Sequence, residues 1–148
     1  MRFLLQRVKE AKVEVDNEIC GEIDKGYLVF IGITHGDTKE MADKLIKKMC
    51  NLRIFCDQND KMNLSIKDVK GKLLLVSQFT LYANCKNGNR PSFTDAANPH
   101  DANILYEYIC DKCTEEGIDV QKGIFGEDMK VSLINDGPVT ILLENRGE

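Results

Sequence analysis

The stretch Gly26-Tyr27-Leu28-Val29-Phe30-Ile31-Gly32-Ile33 contains no charged or amide side chain and is rich in β-branched and aromatic residues. A run of this length and composition reads as a strand buried on both faces. Such a strand must be central, so the chain has to supply a sheet and an apolar cover for it. Two segments have the periodicity of a cover. Met41, Ala42, Leu45, Ile46, Met49 and Cys50 recur at helical spacing with Lys39, Lys44, Lys47 and Lys48 between them, which predicts a helix over 38–51 after the turn His35-Gly36-Asp37. Ala102, Leu105, Tyr106, Ile109, Cys110 and Cys113 form a second apolar stripe, introduced by the start signal Asn98-Pro99-His100-Asp101 and ended near Gly117.

The other elements read as strands. Residues 2–9 and 12–23 form an N-terminal hairpin pattern, with Val13 and Val15 alternating with polar neighbours and Asp16-Asn17 supplying turn chemistry. Further strands are predicted at 53–55, 72–80, 119–122, 129–134 and 139–143. Pro138 separates the last two, and since proline cannot donate a ladder hydrogen bond, a turn, an edge or a bulge is expected there. Cis geometry is inexpensive only before proline, which makes Gly137-Pro138 the place to turn two carbonyls in one direction. This order mixes hairpins with helical crossovers, giving an α/β (α+β) class. Between the predicted elements, 83–98 is a long polar loop rich in Asn, Gly and Pro, a kind that often carries function.

The chain has 148 residues, 43% hydrophobic and 30% charged, the balance of one globular domain spanning 1–148 rather than of a disordered or fibrous chain. No apolar run approaches the roughly 20 residues of a membrane span. The start Met1-Arg2-Phe3-Leu4-Leu5-Gln6-Arg7 turns polar too early for a signal peptide, so a cytoplasmic location and reduced thiols are expected. Cys110-Asp-Lys-Cys113 has C-x-x-C spacing, but no second pair exists and the only histidines, His35 and His100, lie elsewhere. A core role for these thiols outweighs zinc or redox chemistry, and no metal or cofactor is expected. The net charge of −4 disfavours a nucleic-acid partner, yet residues 39–90 hold 11 basic and 5 acidic side chains against 9 and 19 elsewhere. That asymmetry permits a basic face and is equally compatible with an ordinary mixed surface.

The apolar strand Leu73-Leu74-Leu75-Val76 runs directly into Ser77-Gln78-Phe79-Thr80. A buried strand that delivers hydroxyls, an amide and successive backbone N–H groups to its end can form an oxyanion hole for acyl transfer. Taken alone, Ser77 and Thr80 are more often plain turn or strand hydroxyls. A serine nucleophile would ordinarily need a histidine base oriented by a carboxylate, and neither His35 nor His100 has that context. A hydrolase built on this segment must work chiefly by positioning and electrostatics.

The hexapeptides Ser77-Gln78-Phe79-Thr80-Leu81-Tyr82 and Asn135-Asp136-Gly137-Pro138-Val139-Thr140 resemble the paired signatures of the D-aminoacyl-tRNA deacylase family. The likeness extends to Gln6-Arg7-Val8, to Phe30-Ile31-Gly32-Ile33, to Asn89-Arg90-Pro91-Ser92-Phe93 and to Phe125-Gly126. The resemblance implies a mixed, mostly antiparallel sheet curled into a barrel-like core with two covering helices. It implies a homodimer whose active sites each combine the first motif of one subunit with a Gly-cis-Pro pair from the other. The carbonyls of Gly137 and Pro138 would bind the substrate amino group and leave no room for an L side chain, so D-aminoacyl-tRNA and glycyl-tRNA would be substrates. Arg7 would hold the Gly-Pro loop, and the region of Ser77, Gln78, Phe79 and Thr80 would position the ester. Thr80 as a nucleophile and attack by water assisted by the 2′-hydroxyl of the terminal adenosine are the two routes, and the second better suits a chain without a convincing protein base. The loop Asn84-Cys85-Lys86-Asn87-Gly88-Asn89-Arg90 is less basic than family loops often are, which leaves the contacts to the tRNA body open.

Three other readings stand beside this one: a nucleic-acid-binding module without catalysis, a sister deacylase that tolerates a small L-amino acid, and a thiol enzyme using Cys110 and Cys113. The chain carries no basic tail after its last strand, and Arg7 with the Phe79-containing motif favours the D-specific branch.

Overall fold

The computed structural model describes residues 1–147. Among the described residues there are eight strands and two helices: β1 (Arg2–Val15), β2 (Glu18–Ile23), β3 (Gly26–Gly32), α1 (Lys39–Asn51), β4 (Phe55–Cys56), β5 (Met62–Leu64), β6 (Lys72–Ser77), α2 (Pro99–Glu115), β7 (Asp119–Lys122) and β8 (Lys130–Glu144), with a short 3₁₀ turn over Phe79–Tyr82. The main sheet runs β2-β1-β3-β6-β7, with β8 on the other edge of β1. The β1 pairings are antiparallel, whereas β3/β6 and β6/β7 are parallel. The sheet curls until its ends approach: a Cβ added at Gly21 in β2 would lie 2.8 Å from the Lys122 carbonyl in β7. Mixed sheet, near-closure and two covering helices match the expected fold.

The apolar run forms β3 at the middle of the sheet, and Tyr27, Leu28, Val29 and Ile31 are buried. One face packs Phe3, Leu5, Val29, Ile31, Leu73 and Leu75 under the α1 and α2 stripes, and the other encloses Val8, Val13, Leu28, Leu74 and Val76 inside the curl. Each helix starts where a side chain can accept an orphan backbone N–H: Thr38 Oγ1 accepts from the Met41 amide and Asn98 Oδ1 from the Asp101 amide. Tyr106 of α2 donates its hydroxyl to the Leu75 carbonyl at 2.7 Å, fixing the helix against β6 two residues before Ser77.

Several boundaries differ from the sequence reading. The N-terminal hairpin lies within 2–15 and 18–23, because β1 runs past residues 9–11 through a register shift opposite β8. β6 stops at Ser77, since the Gln78 amide bonds the Ile31 carbonyl and the chain then closes the 3₁₀ turn instead of continuing as a strand to residue 80. The segment expected at 53–55 pairs only as Phe55–Cys56, against the unanticipated strand Met62–Leu64. The strands expected at 129–134 and 139–143 are one strand, β8, carrying a bulge at Gly137-Pro138. Between Gln6↔Thr140 and Val8↔Asn135, β8 supplies extra residues opposite Arg7 alone, which lets the proline stand outside the ladder without ending the strand.

Candidate active site

The end of β6 and the 3₁₀ turn form one wall of a cleft of about 640 Å³. Ser77, Gln78 and Phe79 line it with Ile31, Phe93 and Phe125. Ser77 and Gln78 are half-buried and Thr80 is exposed. Gly32 sets the depth of the turn, because a Cβ there would come within 2.9 Å of the Leu81 side chain. The first backbone N–H groups of a helical turn have no partner within it. Among the described residues the Phe79 and Thr80 amides donate to no protein acceptor, whereas Leu81 and Ala83 bond back to the Gln78 and Thr80 carbonyls. Two adjacent free donors therefore sit beside Ser77, an arrangement able to bind developing negative charge on a carbonyl oxygen.

The hydroxyl of Thr80 accepts a hydrogen bond from the side-chain amide of Gln78, which orients it without offering a base. His35 contacts the Thr94 carbonyl at 2.8 Å, and His100 is an exposed residue of the first turn of α2. The predicted polar loop is folded back by pairing of Asn84 with Ser92 and of Thr34 with Ala96, which carries Phe93 to the cleft. Phe93 then meets Phe79 edge-on with ring centroids 5.1 Å apart. Phe79 is 57% exposed, an unusual position for a large apolar side chain beside a cleft. Burial pushes the Cys110 thiol up to about 11 and raises that of Cys113 further, so neither provides a thiolate at neutral pH. Both belong to the core beneath the helices, in agreement with the apolar-stripe reading.

The second motif lies elsewhere in the chain. Gly137-Pro138 is a cis peptide at the β8 bulge, and both residues are exposed. Arg7, only 7% exposed, anchors the bulge from beneath: Nε donates to the Asp136 carbonyl at 2.9 Å and Nη1 to the Ile54 carbonyl at 2.6 Å. No carboxylate pairs with this guanidinium among the described residues. Its planar fork instead joins two backbone segments, a task for which a lysine point charge is poorly shaped. Asn135 braces the other side, accepting from the Val139 amide at 2.8 Å and donating to the Thr140 hydroxyl at 2.8 Å. Asn135 and Thr140 belong to the quoted motif, but no bracing role could be assigned to them from sequence because it depends on the bulge. The cleft walls Phe93 and Phe125 were likewise visible only as motif letters.

Within one chain the two motifs do not meet. Ser77 aligns with Ile31, Phe3 and Leu143 across the sheet, whereas the bulge lies opposite Arg7, four residues further along β1. Three strand spacings and four residues amount to roughly 20 Å along the sheet.

The model of the family described as D-Tyr-tRNA(Tyr) deacylase matches residues 4–144. Relatives named D-aminoacyl-tRNA deacylase include one from Geotalea daltonii, 58% identical over 97% of this chain and 96% of its own length. Another, from Pseudoalteromonas translucida, is 56% identical over 97% of this chain and 99% of its own. A solved structure titled c-Myc DNA Unwinding Element Binding Protein superimposes with a TM-score of 0.92 at 35% identity, covering 98% of this chain and 99% of that one. A structure described as a probable eukaryotic D-amino acid tRNA deacylase has a TM-score of 0.84 at 17% identity over 96% and 97% of the two chains, a likeness of fold. With both hexapeptides, the curled sheet and the full-length match in agreement, the chain belongs to the D-Tyr-tRNA(Tyr) deacylase family.

Proposed function

We propose that the protein hydrolyses the ester of D-aminoacyl-tRNA in the cytoplasm, releasing free D-amino acid and tRNA, and that it acts as a homodimer whose two sites are each shared between subunits. Glycyl-tRNA, which has no side chain to exclude, is a further substrate. The observation that carries the shared site is the separation of the motifs: a free donor pair at Phe79 and Thr80 on one part of the sheet, and an exposed, rigidly anchored Gly137-Pro138 bulge roughly 20 Å away. A two-fold dimer brings unlike surfaces of identical chains together twice, so it can seat one chain's bulge at the other's cleft. An apolar row suited to such an interface crosses the sheet, with Leu4 aligned to Phe30 on one side and to Leu142, 48% exposed, on the other.

In this mechanism the ester carbonyl faces the Phe79 and Thr80 amides, which stabilise the tetrahedral oxyanion. Ser77, Gln78 and the Thr80 hydroxyl position the ester, and Phe79 with Phe93 walls the terminal nucleotide. Water attacks, with the adenosine 2′-hydroxyl assisting proton transfer, because no protein base stands beside Thr80. The partner's Gly137 and Pro138 carbonyls accept from the substrate ammonium and occupy the space an L side chain would need. Selection is then by shape and covers L-amino acids as a class.

Purified protein should hydrolyse D-tyrosyl-tRNA and spare L-tyrosyl-tRNA, and equal rates on both would refute the chiral reading. The sharing of the site is tested by mixing. A Gln78→Ala/Thr80→Ala protein and a Gly137→Val protein, each inactive, are combined under conditions of subunit exchange. Random pairing makes about half the dimers mixed, each with one intact site of two, so about a quarter of wild-type activity returns. No recovery despite demonstrated exchange would place the whole site in one chain. The solved relative titled as a DNA-unwinding-element binding protein raises a second reading, a nucleic-acid module. Tight binding to duplex DNA by a protein without ester hydrolysis would favour it.

A further inference from the structure

Several basic side chains of this protein are neutralised by a carboxylate. Lys12 pairs with Glu14, Lys67 with Glu116, Lys72 with Asp24, Lys112 with Glu115, Lys122 with Glu107, and Arg2 and Arg146 with Glu144. Among the described residues, Lys39, Lys61, Lys70, Lys86 and Arg90 have no carboxylate within ion-pair distance, and the same holds for Lys9, Lys25, Lys47, Lys48 and Arg53, all five of them exposed. These last five border one feature. Lys9 lies two residues beyond Arg7 in β1, opposite the end of the β8 bulge. Lys25 lies over the Phe55 ring at 5.6 Å. Arg53 precedes Ile54, whose carbonyl is held by Arg7, and its own guanidinium bonds only the neutral side chain of Asn63. Lys47 and Lys48 lie near the C-terminal end of α1, where their carbonyls bond Asn51 and Leu52 just before Arg53. The guanidinium of Arg7 thus ties the Gly137-Pro138 bulge and this basic border into one rigid unit.

The Asp57 carboxylate is engaged by the Asn59 and Lys61 amides of its own turn, and these bonds hold it below the usual carboxylate range. Glu10 adjoins Lys9 and Asp24 adjoins Lys25, Asp24 being paired with Lys72, and the Asp136 carbonyl, not its carboxylate, faces Arg7.

We infer that this border binds the sugar-phosphate backbone of the tRNA beyond its 3′ end, so that each tRNA lies across both subunits: the ester is cut at one subunit's cleft, and the tRNA body rests on the subunit that supplies the Gly137-Pro138 bulge. The inference rests on the shared-site reading above. Its chemistry is that of unpaired cations with lysine and arginine donors, which displace counterions from phosphates without reading sequence. A last-turn lysine also favours the helix dipole, but that role explains Lys48 alone and not its four companions.

The test uses the full-length dimer carrying Lys47→Gln, Lys48→Gln and Arg53→Gln, compared with a control carrying Lys112→Gln and Lys130→Gln. Binding of uncharged tRNA is followed by fluorescence anisotropy from about 50 to about 200 mM salt. If the three cations each meet a phosphate, wild-type affinity falls about 20- to 40-fold more steeply over that range than the triple variant's, and the control follows wild type. Equal salt dependence in wild type and triple variant overturns the inference. Failure of the wild type to cleave D-aminoacyl-tRNA while the triple variant still loses tRNA affinity would instead sink only the deacylase reading. Placement across the subunits is read in the mixed dimers. Raised KM is expected when the three substitutions are on the subunit with the intact bulge. A raised KM only when they are on the subunit with the intact Gln78-Thr80 motif would overturn it.

Discussion

Replacing Arg7 isolates the connection between a buried side chain and selection at an exposed bulge. Arg7→Leu removes both donors from the Asp136 and Ile54 carbonyls, which lie on different segments. An acceptor stranded in a dry site costs about 1–3 kcal/mol, so the gross loss for two is about 2–6 kcal/mol. Part of this is recovered because the buried guanidinium, 7% exposed, no longer has to be desolvated and leucine packs apolar atoms in its place. A net destabilisation of about 1–3 kcal/mol follows, a fall in Tm of roughly 3–9 °C for a chain of this size. The functional effect should be larger than the stability effect. A bulge free to shift by about 1 Å is expected to lower kcat/KM for D-tyrosyl-tRNA by about 10²-fold and to narrow the preference for D over L. Arg7→Lys keeps the charge but reaches only one carbonyl, and should fall between wild type and Arg7→Leu on both measures. Thermal unfolding monitored by circular dichroism, with single-turnover deacylation of both enantiomers, reads the two effects separately. An Arg7→Leu protein with unchanged Tm and unchanged D over L preference would refute the anchoring role.

Other substitutions test neighbouring links. Gly137→Ala places a Cβ 2.9 Å from the Arg7 Nη2 at a φ of +138°, so it should cost about 1–3 kcal/mol and impair discrimination more than kcat; a fully selective, equally stable variant would show that the bulge tolerates displacement. Asn135→Ala removes the brace to Val139 and Thr140, with an expected loss of about 1–2 kcal/mol by urea denaturation. Stability should also fall at alkaline pH. Burial raises the thiols of Cys50 and Cys110 from their ordinary 9.0 to about 11. These groups favour the fold fully below about 9 and lose that contribution as pH rises towards 11, at up to about 1.4 kcal/mol per pH unit for each thiol. Urea midpoints measured between about pH 8 and 10 should fall, and Cys110→Ala should reduce the slope; a slope unaffected by removing this thiol would exclude it as a source.

Local pattern was sufficient for much of this architecture. The uninterrupted apolar run of β3 and the single stripes of α1 and α2 follow from side-chain periodicity, a property of neighbours in sequence, so these elements were legible before any contact was known. The same holds for the core role of Cys110 and Cys113, which share the α2 stripe. The two hexapeptides, as a resemblance, pointed to the family. What sequence alone could not decide are features that depend on pairing between distant segments. Pro138 looked like a break between strands, but β1 pairs with β8 on both sides of it and absorbs the extra residues as a bulge. The end of β6 could not be placed because it is set by a bond from Gln78 to Ile31. Arg7 was read as the holder of the Gly-Pro loop from resemblance; only the folded chain shows that its second hydrogen bond reaches Ile54 and couples the bulge to the basic border. Hydrogen-bond partners remote in sequence are chosen by the packed sheet, and so the role of each such residue was decided by tertiary structure.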